Sequence, residues 1–133
     1  MPSSDQKEVK EILIIEDDEQ MARSLRRLLE REGFVIHVAT CGEAALSYAA
    51  EHRSSLVMLD LRLPDVGGYE VCKSLRKLYH PWAVPILMLT GMDRPIDQLR
   101  GFAHGADAYL IKPCESSELL STISLLLGQS LVT

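Results

Sequence analysis

Carboxylate, hydroxyl and ammonium side chains follow short apolar runs at several places in this sequence. Four acids, Glu16 to Glu19, come directly after the first run, and Asp60 comes directly after a later one. Thr90 and Lys112 follow two further runs in the same way. If these runs are strands of one parallel sheet, the polar residues meet at a single edge of it. Several like charges at one edge destabilise a fold unless a cation neutralises them, so the pattern indicates a cation site.

The types of these side chains restrict the chemistry. Carboxylates without His or Cys beside them favour Mg²⁺ or Mn²⁺ over zinc. A carboxylate beyond those needed for the metal can act as a nucleophile towards phosphorus, while the metal and an ammonium offset the charge of the phosphoryl oxygens. Asp60 fits the nucleophile, Asp17 the metal ligand and Lys112 the ammonium. Thr90 can donate its hydroxyl to a phosphoryl oxygen.

The elements that must position these residues alternate along the chain. Short, continuously apolar runs predict strands, and apolar residues at helical spacing between them predict helices. Strands are predicted at 11–15, 34–38, 55–59, 85–89 and 107–111, and helices at 21–29, 43–50, 68–78, 96–102 and 116–127. Gly33 suits the left-handed position after the first helix. The alternation predicts an α/β fold with a doubly wound, five-stranded parallel sheet.

Periodicity also predicts which helix residues face the core. Val71, Leu75 and Leu78 are expected to point inward from the third helix. In the last helix the expected core residues are Leu119, Leu120, Ile123 and Leu127. Leu125 lies off that apolar stripe, so we expect it on the surface.

Composition sets the broad class of the protein. The 133 residues predict one domain, and 47% hydrophobic with 25% charged residues is typical of a soluble globular chain. The apolar stretches are too short to cross a bilayer and the start lacks a secretory signal, which predicts a cytoplasmic protein without membrane contact. Cys41, Cys72 and Cys114 form no CxxC pattern, so free thiols are expected. A net charge of −5 without a basic run argues against direct nucleic-acid binding.

Four motifs together resemble the receiver domain of two-component response regulators. They are ILIIEDDE, VMLDLRLPDVGG, PILMLTG and GADAYLIKP, in the family's order and at its usual separations. The resemblance covers residues 10–128, leaving 1–9 and 129–133 as tails, and it implies a flavodoxin-like fold. It also implies that Asp60 accepts a phosphoryl group from a histidine kinase or a histidine phosphotransfer protein. The expected role is that of a signalling phosphoacceptor, with only self-catalysed phosphorylation and dephosphorylation, rather than that of an enzyme.

The same resemblance assigns the metal ligands. Glu16 and Asp17 align with the family's acidic pair, of which Asp17 binds Mg²⁺ directly and Glu16 acts through water. The backbone carbonyl of Arg62 completes the protein ligands. Asp18 lies one place beyond the pair and is a secondary candidate.

The resemblance further assigns a switch. Thr90 and Tyr109 match the family's switch pair, Lys112 matches its lysine, and the bond before Pro113 is expected to be cis. Two positions depart from the pattern without removing a reacting group. Gly67 stands where an acidic or small polar residue is common, and Gly91 replaces the usual alanine.

Simpler interpretations of single residues stay open at this point. Asp18 suits a helix N-cap, Thr90 suits another cap, and Lys112 suits a solvated surface charge. Tyr109 suits an amphipathic strand with its hydroxyl in water.

Other functions also stay open. The alternatives are a flavin-binding flavodoxin, which needs a Ser/Thr/Gly-rich loop where this chain has acids, a metal-dependent phosphohydrolase, and a degenerate receiver used only for interaction. Output is expected through a downstream protein partner or an effector domain outside this sequence, with self-association possible. The surface near Tyr109 and Leu125 is the expected contact.

Overall fold

The computed structural model describes residues 9–128, which form a parallel sheet of five strands in the order β2-β1-β3-β4-β5. The strands are β1 (Glu11–Ile15), β2 (Val35–Ala39), β3 (Leu56–Leu59), β4 (Ile86–Thr90) and β5 (Ala108–Ile111). The helices are α1 (Glu19–Arg31), α2 (Gly42–Glu51), α3 (Gly68–Tyr79), α4 (Pro95–Ala103) and α5 (Ser116–Leu126). The predicted fold class is therefore confirmed. Residues 1–8 and 129–133, which make up the two predicted tails except for residue 9, lie outside the described residues.

The burial of each strand follows its place in the sheet. All residues of the central strands β3 and β4 are buried, and so are four of the five in β1. The edge strands β2 and β5 are only partly buried. A strand covered on both faces has no side that can be polar, which is why the central strands appear in the sequence as unbroken apolar runs.

The helices cover both faces of the sheet and divide the core in two. One core joins the sheet to α2 and α3, and it includes Ala45, Val71 and Leu75. The other joins the opposite face to α1 and α5, through residues such as Leu29 and Ile123. None of the helices within residues 9–128 is both long and apolar enough to cross a lipid bilayer.

The predicted core residues of α3 and α5 are wrong in part. Leu78 is 42% exposed, and the inward position belongs to Tyr79, which is 2% exposed. Spacings of three and four residues both keep a side chain on one helix face, and in α3 the core follows Val71, Leu75 and Tyr79 at steps of four. In α5, Leu119 and Ile123 are buried while Leu120 and Leu127 are only partly so; Leu125 is exposed, as expected.

Hydrogen bonds fix the loops at both ends of the strands. At the amino-terminal edge, the Arg76 guanidinium donates to the carbonyl oxygens of Val84 and Gly105 and forms an ion pair with Asp107. At the carboxyl edge, Asp65 fixes the loop that follows β3. Its Oδ1 accepts from the amide of Gly42 at 2.8 Å, and its Oδ2 accepts from that of Glu43 at 2.9 Å. The loop after β3 is thereby attached to the first turn of α2.

These bonds predict a specific pH dependence of stability. The backbone amides of Glu43 and Gly42 lower the pKa of Asp65 from 3.8 to about 2. A lowered carboxyl pKa in the folded chain contributes stability above the unfolded value, and this contribution is lost as the pH falls through the interval from 3.8 to about 2. We expect Asp65→Asn to reduce stability at neutral pH and to flatten the fall within that interval. Urea unfolding midpoints across the interval measure it, and a slope equal to that of the parent chain would contradict the assignment.

Candidate functional site

The carboxyl ends of four strands bring the predicted site residues to one edge of the sheet. Glu16 and Asp17 follow β1, and Asp60 follows β3. Thr90 is the last residue of β4, and Lys112 comes directly after β5. Backbone bonds hold the two buried acids in place, since the Glu16 amide donates to Ala39 and the Asp60 amide donates to Ile15, each at 3.0 Å.

Three carboxylates form a cluster at this edge. Oxygens of Glu16, Asp17 and Asp60 all lie within 4.8 Å of one another. Glu16 is 2% exposed and Asp60 7% exposed, whereas Asp17 faces solvent. The cluster is thus open on one side, and two of its acids are removed from water.

Lys112 joins the two buried acids. Its ammonium forms an ion pair with Glu16 Oε1, and its Nζ lies 3.0 Å from Asp60 Oδ2. Burial alone would lower the pKa of Lys112, but the bonds to Glu16 and Asp60 raise it above its usual value. Burial raises the pKa of Glu16, and the bonds that it accepts from Lys112 and from the Asp18 amide offset this only in part. Lys112 is therefore held as a cation against both carboxylates.

The second oxygen of each buried acid accepts a bond from the backbone. The amide of Arg62 donates to Asp60 Oδ1 at 3.1 Å, and the amide of Asp18 donates to Glu16 Oε2 at 3.1 Å. These contacts fix both carboxylate planes, because each is held at both of its oxygens.

The cluster has the composition of a site for a hard cation. Its three carboxylates, when ionised, outnumber the single ammonium of Lys112, so the edge carries an excess of negative charge. All three offer oxygen ligands, which suit Mg²⁺ or Mn²⁺. Asp18 lies outside this cluster and has another role. Its Oδ1 accepts from the Met21 amide at 3.1 Å and caps α1, the simpler of its two interpretations.

Thr90 and Tyr109 lie on the neighbouring strands β4 and β5. The side chain of Thr90 is fully buried, and its Oγ1 accepts from the Met92 amide at 3.4 Å. Tyr109 is partly buried, and its hydroxyl donates to the Met92 carbonyl at 2.7 Å. Burial raises the pKa of Tyr109 to about 12, so the hydroxyl keeps its proton. Met92 thus lies between the two predicted switch residues, and the Tyr109 hydroxyl bonds the protein instead of extending into water.

The Lys112–Pro113 peptide bond is cis, as the resemblance implies, and so is the bond between His80 and Pro81. The first of these follows β5 directly, at the edge where Lys112 meets the acids.

Two residues that follow Asp60 and fix its loop were not predicted as such from the sequence. One is Asp65, whose partners lie 22 and 23 residues earlier in the chain. The other is Gly68, the first residue of α3. A Cβ there would lie 2.4 Å from Leu61 Cα and 3.0 Å from the Asp60 carbonyl oxygen. Both residues stand in the motif VMLDLRLPDVGG, but a motif alone does not state what its members touch.

Comparison with known proteins gives a consistent result. A family model described as the response regulator receiver domain matches residues 12–124. Sensory transduction protein RegX3 of Mycobacterium tuberculosis is 42% identical over 112 residues, which cover 84% of this chain and 48% of that protein. The chain spans about half the length of the curated relatives it matches.

Solved structures share the fold. A CheY-like receiver domain protein from Methanospirillum hungatei superposes with a TM-score of 0.86 at 30% identity, covering 91% of this chain and 95% of that one. The receiver domain of the sensor histidine kinase PA1611 from Pseudomonas aeruginosa has a TM-score of 0.83 at 26% identity, covering 92% and 100%. That receiver has a magnesium ion coordinated in its active-site cleft.

The two adjacent glycines before and at the start of α3 provide a matched test of the packing behind Asp60. A methyl group at Gly68 overlaps the backbone of the loop that carries Asp60, whereas one at Gly67 meets nothing within 4 Å. We expect Gly68→Ala to lower the free energy of unfolding by about 1–3 kcal/mol, the usual cost of overpacking. Gly67→Ala should change it by less than about 0.5 kcal/mol. Urea unfolding of both variants measures the difference, and equal effects would show that the close approach is relieved without cost.

Proposed function

Because this chain belongs to the family of response regulator receiver domains, we propose that it accepts a phosphoryl group on Asp60 in a Mg²⁺-dependent reaction and thereby changes a protein-binding surface. The contact of Lys112 with Asp60 at 3.0 Å, inside a cluster of three acids, is the observation that carries this proposal. It combines a nucleophile, a cation site and a fixed positive charge. All three are needed to bring an anionic phosphoryl group to a carboxylate.

The proposed step transfers phosphorus between two nucleophiles. An oxygen of Asp60 attacks the phosphorus of a phosphohistidine on a histidine kinase or phosphotransfer protein. The new phosphorus–oxygen bond forms as the phosphorus–nitrogen bond breaks, and the imidazole nitrogen keeps the electron pair and takes up a proton from solvent. Water later attacks the same phosphorus, which releases inorganic phosphate and restores the carboxylate. The domain modifies only itself in this scheme, as a signalling element and not as a turnover enzyme.

Each side chain of the cluster has a task in that step. Asp17, Asp60 and the Arg62 carbonyl would hold the metal directly, and Glu16 would hold it through water. When bound, Mg²⁺ offsets the charge of the phosphoryl oxygens. Lys112 supplies a second positive charge on the side of Asp60 Oδ2. The PA1611 receiver supports this metal assignment, since it shares the fold and has magnesium in its cleft.

We propose that Thr90 and Tyr109 transmit the change. A phosphoryl group on Asp60 presents new acceptor oxygens, and movement of the Thr90 hydroxyl towards them would end the bond that it accepts from Met92. Met92 also accepts from Tyr109, so the loop after β4 links the two residues. Such a shift requires different affinities of the phosphoryl group for the two arrangements.

The output surface lies on α4, β5 and α5. Three large apolar side chains of α4 are 44–66% exposed, namely Ile96, Leu99 and Phe102. On α5, Leu125 is 70% exposed. The Phe102 and Tyr109 rings are in contact, with centroids 6.4 Å apart. We propose that a downstream protein, an effector domain or a second copy binds here. The curated relatives are about twice as long as the matched region, which supports an effector beyond it.

We also propose a cytoplasmic location. Cys41, Cys72 and Cys114 are all free thiols, as expected from the sequence, and free thiols are typical of a reducing compartment.

Phosphorylation of Asp60 is directly testable. With Mg²⁺ and acetyl phosphate we expect one acid-stable, base-labile acyl phosphate per chain, read by intact-mass analysis. Asp60→Asn should abolish it, because the variant lacks the carboxylate that attacks phosphorus. A chelator should also abolish it, because without Mg²⁺ the clustered carboxylates repel the phosphoryl dianion.

The matched control is Asp93→Asn, the same change at an exposed acid of the loop after β4. This variant should be phosphorylated like the parent chain. An equal mass gain in Asp60→Asn would overturn the assignment of the acceptor.

The coupling through Thr90 can be measured with beryllofluoride, a mimic of the phosphoryl group. We expect Thr90→Ala to weaken Mg²⁺-dependent beryllofluoride binding by about two- to tenfold, the effect of one lost hydrogen bond. Thr90→Ser keeps the hydroxyl and should restore the affinity. Isothermal titration calorimetry gives the affinities, and tyrosine ring NMR reports whether Tyr109 changes environment. Equal affinities in the parent and Thr90→Ala would show that Thr90 is not coupled.

A further inference from the structure

A groove crosses the amino-terminal edge of the sheet, at the opposite end of the strands from Asp60. It has a cavity volume of about 500 Å³. Its lining includes Val9, Lys10, Arg53 and Trp82, with Leu126 and Leu127 from the end of α5. We call it the amino-edge groove. No residue of the proposed phosphoryl site lines it.

The aromatic wall of this groove is exposed. Trp82 is the only tryptophan of the chain, and 55% of it is accessible to solvent. The Arg53 guanidinium lies 4.4 Å from the centre of its ring, a cation–π contact that orients both side chains. Val9 beside them is 67% exposed. Tryptophan and arginine are the residues most enriched among those that dominate binding energy at protein interfaces.

The charge of the groove is opposite to that of the chain. Glu11 contributes an acid to the lining, but both of its oxygens are used, accepting from the Tyr48 hydroxyl at 2.8 Å and from the Ser54 hydroxyl at 3.1 Å. Within residues 9–128, neither Lys10 nor Arg53 forms an ion pair with a carboxylate. Among the described residues, a chain with a net charge of −5 thus presents two cations without a carboxylate partner beside its exposed tryptophan.

We propose that the amino-edge groove binds an acidic peptide segment of a partner protein, one that carries an apolar side chain next to its carboxylates. The apolar side chain packs on the Trp82 ring and against Leu127, while the carboxylates pair with Lys10 and Arg53. Opposite charge across such a contact contributes specificity as well as affinity. The groove shares no residue with the phosphoryl site, which lies at the opposite edge of the sheet.

Trp82 is its own reporter, because no other tryptophan contributes to the fluorescence. The probes are a short blocked peptide with leucine between aspartates and a second peptide with lysine in place of each aspartate. We expect saturable binding of the acidic peptide that weakens with added salt, and no binding of the basic one. Arg53→Gln should weaken the binding, and Arg53→Glu should weaken it by about tenfold or more, since like charge then replaces opposite charge. Circular dichroism verifies that both variants fold.

Arg27→Glu is the matched control, since it makes the same charge reversal at an exposed arginine of α1 that does not line the groove, and it should leave peptide affinity unchanged. Asp60→Asn should also bind the peptide normally, so loss of phosphorylation and loss of peptide binding are separable. Equal binding of the acidic and basic peptides, or an Arg53→Glu variant that binds as well as the parent, would overturn the proposal. Peptide binding that appears only after residues 2–8 are deleted would also overturn the proposal, because the undeleted chain would then not bind the peptide. Concentration-dependent self-association that Trp82→Ala abolishes would assign the groove to a second copy and overturn it as well.

Discussion

The burial of two carboxylates beside a third at one edge of the sheet is the constraint on which the rest of the structure depends. Glu16 and Asp60, when ionised, repel each other at a buried position, and Lys112 offsets this repulsion by pairing with both. Lys112 lies 96 residues from one partner and 52 from the other, so these contacts form only when β1, β3 and β5 are aligned in one sheet. The site and the topology therefore require each other, because the strand order that builds the core also supplies the countercharge.

Different groups fix the loops at the two edges of the sheet. At the carboxyl edge, each buried acid accepts hydrogen bonds at both of its oxygens. Asp65 and Gly68 fix the loop behind these acids. At the amino-terminal edge, Arg76 performs the equivalent task for the loops that enter β4 and β5 by binding their carbonyl oxygens. The first edge bears excess negative charge and the second bears exposed apolar and cationic groups. One fold thus presents two surfaces of opposite character without placing them in competition.

The elements of this fold were predictable because a parallel sheet covered on both faces leaves unbroken apolar runs, as in β3 and β4. The positions of Asp17, Asp60 and Lys112 at one edge followed from that alternation alone. Leu78 and Tyr79 could not be distinguished, since steps of three and four residues both fit a helix face and only the packed core selects one. The hydrogen bonds of Asp65 and of the Tyr109 hydroxyl could not be predicted for another reason. Their partners lie 17 to 23 residues away and become neighbours only in the folded chain.

The place of Asp60 at the end of the fully buried β3 has a consequence for how the domain fluctuates. Central strands open only near the global free energy of unfolding, whereas edge strands and exposed helices open locally at much lower cost. Asp60 therefore stands at the end of a strand that opens among the last, while Tyr109 lies on the partly buried edge strand β5 beside the exposed face of α4. Local openings of β5 and α4 can thus occur while Asp60 keeps its position at the end of the closed central strand.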